Sequence, residues 1–216
     1  MQNCQATSLV TTRSIANVAT ANSSASSVIN WPIEQPTLRV QLGESSVILR
    51  PLREEDIDPI NAACQDPTIS AFTRVPYPYD RELAEQFVRG CDLGYRNHQG
   101  VVFGIEYNQF GTSTFAGTIG LHSINISDHC TEVGYWLEKS HRGHGIATAA
   151  LNLVTDLALD VMAFRRIEAL TDFDNLASQS VITRSGYERE ALLRNRVTKP
   201  DGSQKDMVLF ARVLDS

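Results

Sequence analysis

TEVGYWLEKSHRGHGIATAALNLVTDLA, residues 131–158, joins a strand pattern, a glycine-containing turn and a helix pattern without a break. Val133, Tyr135 and Leu137 alternate with Glu132, Gly134 and Trp136, which is the two-residue period of a strand. After the polar turn 138–141 comes Arg142-Gly143-His144-Gly145, and then Ile146, Ala150, Leu153, Leu157 and Val161 recur at helical spacing. Two glycines let the backbone turn tightly and bring its N–H groups close to a ligand. They stand where a helix N-terminus leaves donors unpaired and partial positive charge exposed. Such a place suits an anion, most naturally a pyrophosphate.

Several kinds of nucleotide site share this logic. A P-loop ends in Gly-Lys-Ser or Gly-Lys-Thr, and the chain contains no Gly-Lys pair. A dinucleotide fingerprint needs a third small residue at Thr148 and an acid closing a second strand about 20 residues on. The residue near that spacing is Asp160, inside the expected helix, so a nucleotide-binding oxidoreductase reading loses its ribose ligand.

Four separated motifs carry a resemblance: Tyr135-Trp136-Leu137, then Arg142-Gly143-His144-Gly145-Ile146-Ala147, then Asn175-x-x-Ser178, then Ser185-Gly186-Tyr187. In order and spacing the chain resembles the GCN5-related N-acetyltransferases (GNAT), in the RimJ/RimL-like branch, over residues 38–214. The resemblance implies an α/β (α+β) fold. Its central sheet would be mixed and mostly antiparallel, of about seven strands flanked by about four helices, with one parallel strand pair splayed apart. It also implies acetyl-CoA as co-substrate and a primary amine as acceptor, either a protein N-terminus or a small amine.

Composition narrows the classes. Nineteen Lys and Arg against 25 Asp and Glu give a net charge of −6, with the basic residues scattered, which argues against a nucleic-acid partner. Cys4, Cys64, Cys91 and Cys130 lie far apart with no Cys-x-x-Cys pair, and read as free thiols in a reducing compartment. No apolar run approaches the ~20 residues that span a bilayer. A cytoplasmic protein is expected, with no membrane partner. Homodimers are common in the resembling family, and nothing in the sequence specifies an interface.

Residues 1–36, rich in Ser, Ala, Thr and Asn with no acid before Glu34, read as a disordered tail. An organelle transit peptide is the alternative, although it would carry more arginine than Arg13 alone. The domain is expected over 37–216. It begins with two short apolar alternations around Gly43, then a first helix with acids Glu54, Glu55 and Asp56 in its first turn. Pro76 and Pro78 make 72–79 a loop, whose Tyr77 and Tyr79 either line the acceptor pocket or cover the core edge. A second helix spans 81–96. Strands over 101–107, 115–122 and 130–137 follow with links too short for helical crossovers, which favours antiparallel hairpins. After the central helix come a strand over 166–171, a helix over 176–185 and a final hairpin across Pro200-Asp201-Gly202.

By resemblance, the pantetheine arm would lie between the strands at 135–137 and 167–171, bonding the backbone of Trp136, Leu137 and Glu138. The pyrophosphate would meet the N–H groups of Arg142, Gly143, His144, Gly145, Ile146 and Ala147, with the Arg142 guanidinium adding a fixed cation. His144 departs from the Lys or Arg frequent at that position. A backbone N–H near Leu137 would face the thioester oxygen. Asn175 would bond the pantetheine, cap the helix beginning at Leu176, or both. Ser178 would approach the sulfur and serve as the acid for the departing thiolate.

An α-amine of pKa 7.7 to 8.0 is ~10% neutral at pH 7, whereas a lysine amine is about one part in 10³ neutral and depends more on a base. Glu132, on the strand entering the loop, is the candidate base or acceptor-positioning residue. Its alternative is an exposed strand glutamate. His141 and His144 flank the glycines but lack a third metal ligand nearby, so no metal is expected. A non-catalytic acyl-CoA-binding or sensor module would keep this fold without Glu132, Asn175 and Ser178 having work to do.

Overall fold

A computed structural model of the chain describes residues 28–199 and 202–214. Eight strands form one sheet in the order β1-β2-β3-β4-β5-β6-β8-β7: β1 (Leu38–Leu42), β2 (Ser45–Pro51), β3 (Val101–Gln109), β4 (Thr112–Asn125), β5 (Cys130–Leu137), β6 (Arg166–Asp172), β7 (Glu188–Thr198) and β8 (Gln204–Val213). Every neighbouring pair is antiparallel except β5 with β6. The helices are α1 (Ile57–Ala63), α2 (Pro67–Phe72), α3 (Arg81–Arg96), α4 (Ile146–Asp156) and α5 (Leu176–Arg184), with a 3-10 turn at Glu54–Asp56 leading into α1.

The eighth strand arises at Gly43. Its φ of 62° lets the two apolar alternations close into the β1–β2 hairpin, which takes the sheet to eight strands where about seven were expected. The extra helix is α2, started by Asp66 as cap and Pro67 in the first turn, a local signal for a helix start. Of the segment expected as a tail, residues 1–27 lie outside the described residues, while residues 28–36 pack on the domain. Ile29 is buried, Trp31 stacks on His98 at 4.9 Å, and the Asn30 N–H donates to the Met162 carbonyl at 2.9 Å. The aromatic contact and the backbone bond fasten a stretch that composition alone reads as unstructured.

The alternation along β5 divides the interior. Val133 and Leu137 join the core under α4 with Val47, Phe103, Ile119 and Leu151, and Tyr135 packs against it. Trp136 turns the other way, into the smaller core of Ile57, Ile60, Ile69, Ala84 and Val88 under α1 and α3. The parallel pairing of β5 with β6 covers only Cys130↔Arg166, Thr131↔Ile167 and Glu132↔Glu168. Beyond Glu132 the two strands part, although β6 stays paired with β8 to Asp172↔Met207 and β5 with β4 to Leu137↔Gly117. The expected splay is present, and its open end lies between Leu137 and Asp172.

Cys64, Cys91 and Cys130 are free thiols, and Cys4 lies outside the described residues. No helix among the described residues is long and apolar enough to cross a membrane.

Candidate active site

The loop after β5 is shaped by left-handed backbone at Gly143 (φ 82°) and Gly145 (φ 77°). The first helical bond of α4 runs from the Ala149 N–H to the Gly145 carbonyl at 3.0 Å. The N–H groups of Gly143, His144, Gly145, Ile146, Ala147 and Thr148 donate to no other group among the described residues. A run of unpaired donors at the positive end of a helix is a cradle for an anion. Gly143, His144 and Gly145 are exposed, while Ile146 and Ala147 are buried and anchor the helix in the core.

Arg142 does not stand free beside that cradle. Its guanidinium bonds the Leu137 carbonyl through Nε at 3.0 Å and Nη2 at 2.9 Å, Thr68 Oγ1 through Nη1 at 2.9 Å, and Asp66 Oδ2 through Nη2 at 2.8 Å. Its own N–H donates to the Lys139 carbonyl. The guanidinium expected to meet the phosphates is thus engaged by internal partners in this structure, Asp66 coming within reach because α2 packs beside β5. His141 likewise spends both ring nitrogens, on Glu138 Oε2 at 2.8 Å and Thr114 Oγ1 at 3.0 Å. His144 is exposed. Among the described residues no group of three His, Cys, Asp or Glu could hold a metal ion.

At the end of β5, the Leu137 carbonyl is taken by Arg142, and the Glu138 N–H is taken by the Ala116 carbonyl at 2.9 Å. The Glu138 carboxylate caps the turn Lys139–His141, accepting from the Ser140 N–H at 2.9 Å. Bonds to Ser140 and His141 outweigh the cost of its burial and hold it below the usual carboxylate range. Trp136 buries its ring against Phe115, with centroids 6.1 Å apart. Leu137 and Glu138, both expected along the pantetheine arm, thus each have a backbone group already engaged.

Across the gap, Asn175 Oδ1 accepts from the Ser178 N–H at 3.1 Å, which makes Asn175 the N-cap of α5. Ser178 Oγ lies 3.0 Å from the Tyr135 hydroxyl. Burial pushes the Tyr135 phenol up to about 12, against the opposing pull of the Ser178 bond. The pair bridges the splay from β5 to α5 and stays protonated at neutral pH. Tyr187 lies elsewhere: its hydroxyl is 2.7 Å from Thr155 Oγ1 and fully enclosed.

Glu132 occupies the opposite face of β5 from Tyr135, with 18% side-chain exposure. Its register partner on β4 is His122, whose Nε2 is 3.9 Å from Glu132 Oε1. Gly134, next on that face, leaves room for the imidazole, since a Cβ there would stand 2.9 Å from His122 Nε2. Burial pulls the His122 pKa down, opposed by Glu132 and helped by Arg74, which favours the neutral ring. Glu132 is partly exposed and, among the described residues, is not paired with a Lys or Arg.

Tyr77 is 60% exposed, but Tyr79 is 8% exposed and packs with Cys64 and Ala84 in the core under α1 and α3. Burial raises its phenol to about 12. The pocket-lining expectation for Tyr79 gives way to the core-covering one, because α3 starts directly after it and draws the side chain inward.

A family model described as an acetyltransferase (GNAT) domain matches residues 46–188. The chain belongs to the GNAT acetyltransferase family. Among relatives, the N-acetyltransferase YoaA of Bacillus subtilis is 25% identical over 148 residues, 68% of this chain and 82% of that protein. The ribosomal-protein-serine acetyltransferase of Escherichia coli is 31% identical over 107 residues, 50% of this chain and 59% of that protein. The RimJ structure of Mycobacterium smegmatis, in complex with CoA-disulfide, superposes with a TM-score of 0.73 at 23% identity, covering 82% of this chain and 86% of that one.

This GNAT chain is an N-acetyltransferase, and the splayed strands, the glycine loop and the Glu132 face sit together on it. Two neighbours of the expected site escaped the sequence reading. Tyr135 lies within a quoted motif, but its partner Ser178 is 43 residues away. His122 meets Glu132 only through strand register, for which the local sequence holds no signal.

Proposed function

We propose that the protein transfers the acetyl group of acetyl-CoA to the α-amine of a protein N-terminus. The observation that carries this reading is the run of unpaired N–H groups from Gly143 to Thr148, set beside strands that part after Glu132. That cradle suits a pyrophosphate, and the gap suits a narrow arm carrying amides that can add to strand edges. Acetyl-CoA supplies the acyl group as an activated thioester.

Glu132 holds the incoming amine on the α1–α3 face and takes the proton that nitrogen gives up as the C–N bond forms. Among the described residues no Lys or Arg ion pair engages it, and burial disfavours the charged form of His122 beside it. Ser178, held by Tyr135, hydrogen-bonds the sulfur as the C–S bond breaks, and the proton that the thiolate takes comes from water, directly or through the Ser178 hydroxyl, which regains one from water as it gives its own. An α-amine needs less help from a base than a lysine does, since a larger fraction is neutral at pH 7. A carboxylate without a fixed cation partner is enough. The E. coli relative is named for serine on a ribosomal protein, which is an acceptor of this class.

Calorimetric titration of acetyl-CoA, followed by thiol release against peptides with free N-termini and against spermidine, tests the reading. Micromolar binding with peptide-dependent release supports it. Release with spermidine alone moves the acceptor to small amines, binding without any release favours a sensor, and absence of binding overturns the assignment.

Two variants separate binding from chemistry. Gly145→Trp puts an L side chain on left-handed backbone, a strain of about 1–2 kcal/mol, and crowds an indole against Leu42 beside the glycine loop, so that the loop's N–H groups are displaced. Acetyl-CoA affinity should fall at least roughly 100-fold, near what losing several charge-assisted hydrogen bonds costs; calorimetry showing unchanged affinity would remove the cradle from the site. Ser178→Ala should lower kcat roughly tenfold with acetyl-CoA affinity within about twofold. Equal turnover in steady-state assays would take Ser178 out of the acid role.

A further inference from the structure

The short helix α2 is held at both ends, and its two anchors stand on opposite sides of the splay. At its start, Asp66 caps the helix by accepting from the Thr68 N–H at 3.0 Å, and both Asp66 and Thr68 accept from the Arg142 guanidinium. That guanidinium also clasps the Leu137 carbonyl, the last residue of β5. At the other end, the Phe72 ring lies under Lys205 Nζ at 5.3 Å from the ring centroid, and Lys205 is ion-paired with Asp172, the last residue of β6. Leu137 and Asp172 are the two lips of the gap that opens where the β5–β6 pairing stops at Glu132↔Glu168.

We propose that α2 is a strap tying those lips together, with Arg142 and Lys205 as the positioning residues that set it, so that it places the acceptor amine against the acyl group. The proposal rests on the acetyl-transfer reading for its function, though not for its geometry. Arg142 suits the part because a planar guanidinium can serve a carbonyl, a hydroxyl and a carboxylate at once, which an ammonium cannot. The acidic anchors are sheltered, with side-chain exposure of 16% at Asp66 and 5% at Asp172, while Lys205 is 22%, Arg142 38% and Phe72 41% exposed. Since Arg142 is spent on the strap, the cradle takes its anion through backbone N–H groups, and a change at Arg142 should be felt by the acceptor more than by the donor.

Amide hydrogen exchange on the ligand-free protein tests the strap without any substrate. Arg142→Gln and Lys205→Met should each speed exchange over residues 68–73 by roughly tenfold or more, while α4 stays protected. Arg142→Lys, which keeps the charge and loses the fork, should behave like Arg142→Gln. With acetyl-CoA and a serine-initiated hexapeptide, Arg142→Gln should raise the peptide KM roughly tenfold and leave acetyl-CoA affinity within about twofold. Unchanged exchange over 68–73 in both variants overturns the strap. So does a tenfold loss of acetyl-CoA affinity in Arg142→Gln that Arg142→Lys restores, because the charge would then be serving phosphate. If the unaltered protein fails to bind acetyl-CoA, the functional reading falls, and the exchange data still decide the strap.

Discussion

Asp56→Ala should lower the free energy of unfolding by about 3–5 kcal/mol, the usual consequence of removing one partner from a buried ion pair. Arg50, in β2, has 6% side-chain exposure and Asp56 has 3%. The guanidinium bonds both Asp56 carboxylate oxygens at 2.7 Å, the Pro51 carbonyl at 3.0 Å, and Glu106 on β3. Asp56 Oδ2 also accepts from the Arg53 N–H at 2.8 Å, which shapes the turn into α1. With alanine at 56, a buried cation keeps Glu106 as its carboxylate and the Pro51 carbonyl, and the Arg53 N–H loses its acceptor. Replacing both partners, as Arg50→Met with Asp56→Leu, should recover much of the loss, since the uncompensated charge is then gone. Urea denaturation of the single and double variants measures both. A loss under about 1 kcal/mol for Asp56→Ala would mean that water reaches the guanidinium and the pair behaves like a surface one.

Glu132→Gln should reduce kcat at pH 7 by roughly 10²–10⁴, the range for a general base, and leave acetyl-CoA affinity unchanged. The amide is nearly isosteric, and among the described residues the Glu132 side chain makes no tight bond that the change would break, the His122 ring standing 3.9 Å away. Stability should therefore stay close to that of the unaltered protein. The pH profile distinguishes a base from a bystander. As pH rises toward the acceptor's own pKa, more amine is already neutral and the base matters less, so the deficit should shrink between pH 7 and 9. A deficit that stays constant with pH would assign Glu132 to binding the amine rather than to removing its proton. Equal turnover across the range would remove Glu132 from the site.

Much of the fold is legible in local pattern. The period of two along 130–137 and the helical spacing after Gly145 place β5 and α4, and the helix over 81–96 coincides with α3. The glycine loop is equally legible, since left-handed backbone at Gly143 and Gly145 is a property of those residues and their immediate neighbours. Asn175 is legible as a helix cap for the same reason.

What the tertiary structure decided is the choice of partner for side chains able to take several. The Arg142 guanidinium fits a phosphate as well as a carboxylate, and only the placement of α2 brings Asp66, 76 residues earlier, to 2.8 Å. Tyr79 is as amphipathic as Tyr77, and packing against α3 buries one and leaves the other exposed. Residues 28–36 look too polar to fold by themselves, yet they dock through the Trp31 stack and the Asn30 backbone bond, on a surface that exists only once the sheet is assembled. Backbone conformation and periodicity are set within a few residues and are read from the chain directly. The partners of Arg142, Tyr135 and Glu132 follow from strand order, register and helix docking, which join segments that share no local signal.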